Sequence, residues 1–373
     1  MKEHESLVTR EWLATNGLGG YAAGTIAGVC TRRFHGLLVA ALPAPLGRMM
    51  MLNHVAEELV RPDGGVIRLG GDELSEDRLE YYGAGTFAGF RLEHGLPVWR
   101  YQAAGFTLER ALVLPHLQNT VYLRYRLLAG PESVRLRVRP SFHFRRHESR
   151  VDTELPRPYQ VSTFGARIEL RGEPELPALR LLVYGDDASF LLDGGRFREV
   201  FYRLEHSRGY DARGTLWSPG YARAALRPGG EASLCASTEP WEILEAMDPE
   251  SAFAVEHARR ERLLAQAHPA ARSGPASQLV LAADQFVITP NMRVIDAART
   301  RAAGDDTRSV IAGYPWFTDW GRDTMISLEG LTLLTGRQVE AGYILRTFAR
   351  HARDGLIPNY FPEGRQEGVY HTA

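Results

Sequence analysis

Val134-Arg135-Leu136-Arg137-Val138-Arg139 alternates apolar and charged residues with a strict period of two, and no other feature constrains the fold as much. That period places valine and leucine on one face of an extended strand and arginine on the other. The segment 120–128 behaves similarly, and Ala129-Gly130-Pro131 turns it into the next strand. Leu181-Leu182-Val183-Tyr184, Ser189-Phe190-Leu191-Leu192 and Val200-Phe201-Tyr202-Arg203-Leu204 continue the series, separated by Gly-Asp-Asp and Asp-Gly-Gly turns. From about residue 95 to 240 no helical pattern intervenes, which predicts antiparallel sheets packed face to face. The expected first unit is a large β-sandwich over residues 1–238.

The pattern changes at Glu239-Pro240. Residues 241–268 lack glycine and are rich in Ala, Glu, Leu and Arg, which predicts helix interrupted near Pro249. Their charge predicts a surface-lying linker over 239–275, closed by Ser273-Gly274-Pro275. After it the strand pattern does not return. Ser277 is placed to cap a helix through Leu279, Ala283, Phe286 and Val287. Asp323 is placed to cap a second helix from Thr324 to Thr335, apolar on most sides and so expected to be buried. A third is predicted from Arg337 to Arg353, with Gly355 as its stop. Residues 276–373 therefore read as the start of a helical domain.

A length of 373 residues exceeds the usual size of a single hydrophobic core, in keeping with two domains. The net charge of −1 gives no reason to expect a nucleic acid or an anionic membrane as partner. Lys2 is the only lysine, which excludes Schiff-base chemistry and a P-loop lysine. Cys30 and Cys235 do not make a disulfide scaffold or a zinc site. The opening Met1-Lys2-Glu3-His4-Glu5-Ser6 leads into no apolar stretch of signal-peptide type, and no segment has the length of a membrane span. A cytoplasmic setting is expected.

Two further patterns invite specific chemistry and do not support it. Gly17, Gly19 and Ala22 match a loose dinucleotide fingerprint, but no clear strand precedes them, and Arg32-Arg33 stands where the acidic residue belongs. These glycines read as tight turns. His143 and His147 are four apart, but on a strand that separation is about 13 Å, too far for one metal ion. With Arg145 and Arg146 beside them they read as a solvated strand end.

Gly313-Tyr314-Pro315-Trp316-Phe317-Thr318-Asp319-Trp320-Gly321-Arg322-Asp323-Thr324 concentrates aromatic, acidic and basic side chains just before an apolar run. Aromatic faces beside fixed charges suit a sugar, which has apolar C–H patches on its faces and hydroxyls around its edge. A filled core with an Arg322–Asp323 structural pair is the other reading. Glycosidic hydrolysis normally needs two carboxyl groups, and Asp319 with Asp323 is the obvious pair. However, Arg322 and a helix N-terminus both favour ionised Asp323, the wrong state for a general acid. Asp323 is better suited to accepting hydrogen bonds from sugar hydroxyls, with Arg322 donating to the same sugar and Trp316, Phe317 or Trp320 covering its face. Glu329, Asp354, Glu363 and Glu367 carry no distinguishing environment in the sequence.

With these residues in view, the chain resembles the bacterial and archaeal type of glycogen debranching enzyme, the amylo-α-1,6-glucosidase family related to glucoamylases. One match is Glu11-Trp12-Leu13-Ala14-Thr15-Asn16-Gly17-Leu18-Gly19-Gly20-Tyr21 with Thr31-Arg32-Arg33-Phe34-His35-Gly36-Leu37-Leu38. The other is the 313–324 stretch followed by Gly355-Leu356-Ile357-Pro358-Asn359. The resemblance implies a β-sandwich of supersandwich type joined by a helical linker to an (α/α)6 barrel. It also implies inverting hydrolysis of α-1,6-linked glucose on branched α-glucan (glycogen or limit dextrin), with no metal or organic cofactor. By the same resemblance Arg322 and Asp323 hold the non-reducing glucose and Trp316 and Trp320 wall it. Phe317 and Asp319, read from the stretch itself, are further expected substrate contacts.

The sequence departs from the family by reaching Ala373 after about three of twelve barrel helices. A C-terminally truncated member is therefore expected, inactive alone, with its general acid and base beyond residue 373. Apolar faces such as Leu328 and Leu331 should then be uncovered and prone to aggregation. Other glucoamylase-like hydrolases, a phosphorylase of the same plan and a non-catalytic glucan-binding module are the alternatives.

Overall fold

The computed structural model describes residues 3–153, 159–291, 293–302 and 304–370. The strand-rich part is an antiparallel β-sandwich, and helices follow it. Its largest sheet has eight strands in the order Gln160–Phe164, Arg167–Arg171, Leu179–Tyr184, Glu231–Ser237, Thr120–Ala129, Phe106–Val113, Leu96–Ala103 and Phe87–Glu93. A five-stranded sheet runs Asp186–Phe201, Arg213–Leu226, Val134–Ser141, His54–Val60 and Val66–Leu69. A second runs Glu11–Thr15, Tyr21–Thr25, Gly36–Leu42, Gly47–Leu52 and Arg145–Arg146.

The alternation at 134–139 has the consequence the period demands. Val134, Leu136 and Val138 are buried and pair with Leu226, Ala224 and Ala222. They share one continuous core with Met51, Trp99, Leu123, Leu181 and Leu234, so side chains from all three sheets close on a single interior. Asp193-Gly194-Gly195, read from sequence as a turn, instead lies within one continuous strand, Asp186–Phe201. Gly194 and Gly195 both have φ near 80°, and the pairing register with Arg213–Leu226 shifts between Leu192 and Arg196. Glycine adopts that backbone without a Cβ clash, so the extra residues form a bulge where a hairpin was expected.

The helical part begins with Trp241–Glu245 and Pro249–Gln266. Asp248 caps the longer helix, its Oδ1 accepting from Ser251 N at 2.7 Å, and Pro249 occupies the first turn where no N–H is needed. This helix is not merely a charged surface rod. Ala252 and Phe253 pack on Val98, Val113 and Tyr122 across the back of the eight-stranded sheet, because small and aromatic residues recur on one face between the charges.

The next helix, Gly274–Phe286, is preceded by Ser273 at the N-cap position. Ser277, expected to cap it, lies inside its first turn and donates its hydroxyl to Gly274 O at 2.7 Å. Asp284 near its end is buried between Arg259 (2.7 Å) and Arg337 (2.8 Å), which ties together segments far apart in sequence. Burial alone would raise the Asp284 carboxyl, but the two guanidinium groups outweigh it and hold the pKa at about 2.

The expected helix from Thr324 to Thr335 is instead Gly321–Leu328 continued by a π-turn, Glu329–Leu333. Gly330 weakens the helix there, and Thr332 Oγ1 donates to Leu328 O at 2.5 Å. This helix is only partly buried. Leu328 and Leu331 pack against a cluster containing Ile344, Phe348 and Phe361, whereas Ile326, Leu334 and Val339 are exposed. The last helix is Gln338–Ala349, shorter than predicted. Gly355, at φ 80° beside Asp354 at φ 50°, serves a tight turn closed by Arg353 N to Leu356 O at 2.9 Å.

Candidate functional site

The 313–320 loop is closed on itself by Phe317 N donating to Gly313 O at 2.8 Å and Ala312 N to Thr318 O at 2.9 Å. Its far end is pinned to the 359–361 segment, where Gly321 N donates to Asn359 O at 2.8 Å and Phe361 N to Asp319 O at 3.1 Å. Trp320 is the N-cap residue of Gly321–Leu328, so Asp323 stands in the first turn of that helix and not at the cap. The position still lies near the positive end of the helix dipole.

Arg322 faces outward and Asp323 is partly exposed, with side chains 61% and 39% exposed and Nη2 to Oδ2 at 3.2 Å, although Asp323 Oδ2 itself is buried and accepts no hydrogen bond among the described residues. An ion pair this open retains hydrogen-bonding capacity for a ligand. The Arg322 guanidinium lies 5.8 Å from the Trp320 ring, Trp320 stacks on Tyr360 at 5.1 Å and 23°, and Phe317 meets Trp320 edge-on at 5.7 Å. Five of the residues proposed from sequence thus remain on or near one surface: Trp316, Phe317, Trp320, Arg322 and Asp323.

Asp319 does not join them. It is 1% exposed, and its Oδ2 accepts from Ser309 Oγ at 2.7 Å and pairs with buried Arg293 at 2.8 Å. Arg293 in turn lies 3.8 Å from the centre of the Phe361 ring. Asp319 therefore locks the loop from beneath and is withdrawn from any sugar on the surface. Its neighbours in sequence gave no sign of this, because Arg293 and Ser309 come from distant segments.

The β-sandwich reaches into the loop at two places. At the first, Arg48, 1% exposed on the strand Gly47–Leu52, donates from Nη1 to Pro315 O and from Nη2 to Phe317 O, each at 3.1 Å. Its Nε donates to Glu363 Oε2 at 2.9 Å, and its backbone N to Glu363 Oε1 at 2.6 Å. Fully buried His147 places Nε2 3.2 Å from Pro315 O. Burial first, and then the nearby Arg48 charge, push the imidazole pKa well down, so the neutral ring donates from Nε2. His143 is also buried, its pKa lowered to about 4 by desolvation and by Arg145. Both histidines are thus interior groups, not a solvated strand end: the strand stops at Ser141, and the loop after it folds inward.

The second place is the Thr31–Gly36 turn. Glu11 Oε1 accepts from Arg32 Nε at 2.6 Å and lies 3.3 Å from His35 Nε2. Burial would raise the Glu11 carboxyl, but His35 and Arg32 bring its pKa down to about 2. Phe34 meets Trp316 edge-on at 6.1 Å, and the Arg32 and Arg208 guanidinium groups lie 5.3 and 5.6 Å from the Trp316 ring. Gly17 and Gly19, at φ 73° and 99°, form the tight turn read from sequence, with Asn16 Oδ1 accepting from Gly20 N at 3.0 Å. Gly17 O accepts from Thr289 N at 2.8 Å, another tie to the helical part.

These two sequence motifs therefore pack against each other, and the comparisons with known proteins fall on the same two regions. Residues 10–233 match the family model described as "Glycogen debranching enzyme N terminal", and residues 281–373 match that described as "Amylo-alpha-1,6-glucosidase". The chain belongs to the glycogen debranching enzyme family. Over 67 residues it is 43% identical to a "Glycogen debranching enzyme" of Saccharomyces cerevisiae, a match covering 17% of this chain and 4% of that protein. It is also similar to the crystal structure of a bacterial glucoamylase complexed with acarbose, with 9% identity, a TM-score of 0.49, and coverage of 98% of this chain and 51% of the other. The chain thus spans a small part of the yeast relative and about half of the glucoamylase.

Proposed function

We propose that this chain supplies the sugar-holding part of a glycoside hydrolase that releases α-1,6-linked glucose from branched α-glucan, with inversion at the anomeric carbon. The observation that carries the reading is the partly exposed Arg322–Asp323 pair at a helix start, beside Phe317, Trp320 and Tyr360 and inside the segment matched by the amylo-α-1,6-glucosidase model. Asp323 accepts from sugar hydroxyls, Arg322 donates to them, and the aromatic rings offer faces to the C–H patches of the ring. Asp319 supports these groups from below.

In this reading residues 1–238 form the β-sandwich domain, 239–275 the linker, and 276–373 the first part of an (α/α)6 barrel. No residue of this chain is assigned as general acid or base. Glu363, one of the unassigned carboxylates, is occupied by Arg48. An inverting pair needs about 6.5–9.5 Å between carboxyl groups to admit a water.

The test is glucose release from a phosphorylase-limit dextrin by the natural full-length protein, followed by NMR of the first product. β-Glucose appearing first supports the reading. Release only in the presence of phosphate, or cleavage only of linear α-1,4 chains, overturns it.

A further inference from the structure

Beyond the Arg322–Asp323 end, a line of exposed aromatic rings continues onto the β-sandwich. Phe317 is 46% exposed, Trp316 39% and Tyr210 57%. They come from two distant parts of the chain and are linked by guanidinium groups. Arg32 and Arg208 flank Trp316, and Arg33 lies 4.9 Å from the Phe34 ring and 5.5 Å from the Tyr210 ring. Phe34, itself buried, joins the two halves through its edge contact with Trp316.

The segment that presents Tyr210 is held in place. It follows the short helix Arg203–Ser207, and Tyr210 N and Arg208 N donate to Glu205 O at 3.0 and 3.1 Å. The Glu205 side chain is buried beneath and accepts from Arg33 N at 3.3 Å, while Leu204 N donates to Thr31 O at 3.0 Å. The Tyr210 segment and the Arg32–Phe34 turn are therefore one unit. Arg32 uses Nε on Glu11 and its Nη1 is buried, so it braces Trp316 from the protein side, and the exposed contacts of the strip are left to Arg208, Trp316 and Tyr210.

We infer that this strip, Tyr210, Arg208 and Trp316 leading to Phe317, is a secondary glucan-contact platform, on which the β-sandwich holds the chain of glucose units extending from the one gripped by Arg322 and Asp323. The inference rests on the proposed sugar site and deepens it. The chemistry selects a neutral polysaccharide. The exposed parts of the Trp316 and Tyr210 rings offer apolar surface for C–H patches, and Arg208 beside Trp316 donates to hydroxyls without requiring an anion. Continuity with the Arg322–Asp323 end makes a longer glucan the occupant. A single sugar fills only that end, so the platform discriminates by chain length.

The experiment is calorimetric titration of this chain with maltose and with maltoheptaose, in wild type, Tyr210→Ala, Tyr210→Phe, Arg208→Ala and Asp323→Asn. Circular dichroism confirms that each variant is folded. Expected are tighter wild-type binding of maltoheptaose than of maltose, and a loss of about three- to tenfold in maltoheptaose affinity in Tyr210→Ala and Arg208→Ala with maltose affinity unchanged. Tyr210→Phe should retain affinity, and Asp323→Asn should weaken both ligands. If Tyr210→Ala and Arg208→Ala leave maltoheptaose affinity unchanged while Asp323→Asn weakens both sugars, the platform is overturned and the sugar site stands. If the length dependence follows Tyr210 but Asp323→Asn has no effect, the platform stands and the sugar-site assignment fails. If wild type binds neither sugar, both fail.

Discussion

Arg48 and Glu363 lie 315 positions apart in sequence and form an ion pair from Nε to Oε2, reinforced by the Arg48 backbone N–H on Oε1, with the guanidinium also donating to the Pro315 and Phe317 carbonyls. One side chain of the β-sandwich thus sets the backbone that carries Trp316 and Phe317. The sugar-facing loop is consequently a property of both parts of the molecule.

Arg48→Met should be strongly destabilising, because it removes the positive charge paired with Glu363 and leaves Glu363 Oε2 and two carbonyls without their guanidinium donor, only the backbone N–H to Oε1 remaining. Removing one partner of a buried pair costs about 3–5 kcal/mol. Urea unfolding monitored by tryptophan fluorescence measures the loss, and hydrogen exchange should accelerate at residues 313–320. Arg48→Lys should recover only part of it, since an ammonium cannot reproduce the planar fork. Unchanged exchange in that loop would show that the clamp does not hold it.

Asp319 and Asp323, four residues apart, should respond in opposite ways. Asp319→Ala leaves Arg293 buried and unpaired and should cost about 3 kcal/mol or more in stability. Asp323→Ala removes an open surface pair and should cost less than about 1 kcal/mol. Thermal and chemical unfolding of the two variants tests this, and equal destabilisation would contradict the geometry.

Asp284 should contribute to acid sensitivity. Its pKa is about 2 in the folded chain against an ordinary value of 3.8. The stabilisation is therefore fully present above about pH 4 and is lost as pH falls through about 2, a span worth on the order of 2 kcal/mol. In Asp284→Asn the acid limb of a stability-versus-pH curve should flatten over that window. An unchanged limb would mean that Arg259 and Arg337 do not hold the carboxylate ionised.

His147 acts at higher pH and with the opposite dependence on its charge. Its folded pKa lies well below 6.5, so the unfolded chain takes up a proton that the folded chain does not. Stability should therefore fall as pH drops below about 6.5, by about 1.4 kcal/mol per pH unit for one such histidine until the folded pKa is reached. His147→Gln should reduce that slope, as followed by unfolding at pH 7 and pH 5.5. The imidazole resonances should not titrate between those values.

The sandwich was legible because burial alternates along its strands, and Val134, Leu136 and Val138 carry that alternation openly. Features that depend on distant partners were not legible. Asp193-Gly194-Gly195 has turn composition, yet pairing with Arg213–Leu226 makes it a bulge. Asp319 resembles Asp323 in its neighbours and differs only through Arg293 and Ser309. The expectation for His143 and His147 assumed a continuing strand, and the chain instead turns inward after Ser141. Within the site, the aromatic and charged stretch at 313–324 announced itself by composition. Arg48, His147 and Tyr360 carried no local signal, except that Tyr360 directly follows Gly355-Leu356-Ile357-Pro358-Asn359.

The most direct measurement of the sugar-site claim is the effect of Asp323→Asn on kcat/KM for a phosphorylase-limit dextrin in the natural full-length protein. A charge-assisted hydrogen bond to a sugar hydroxyl is worth about 1.5–3 kcal/mol, which predicts a fall of roughly ten- to 150-fold with the fold intact. A value within about threefold of wild type would contradict the assignment.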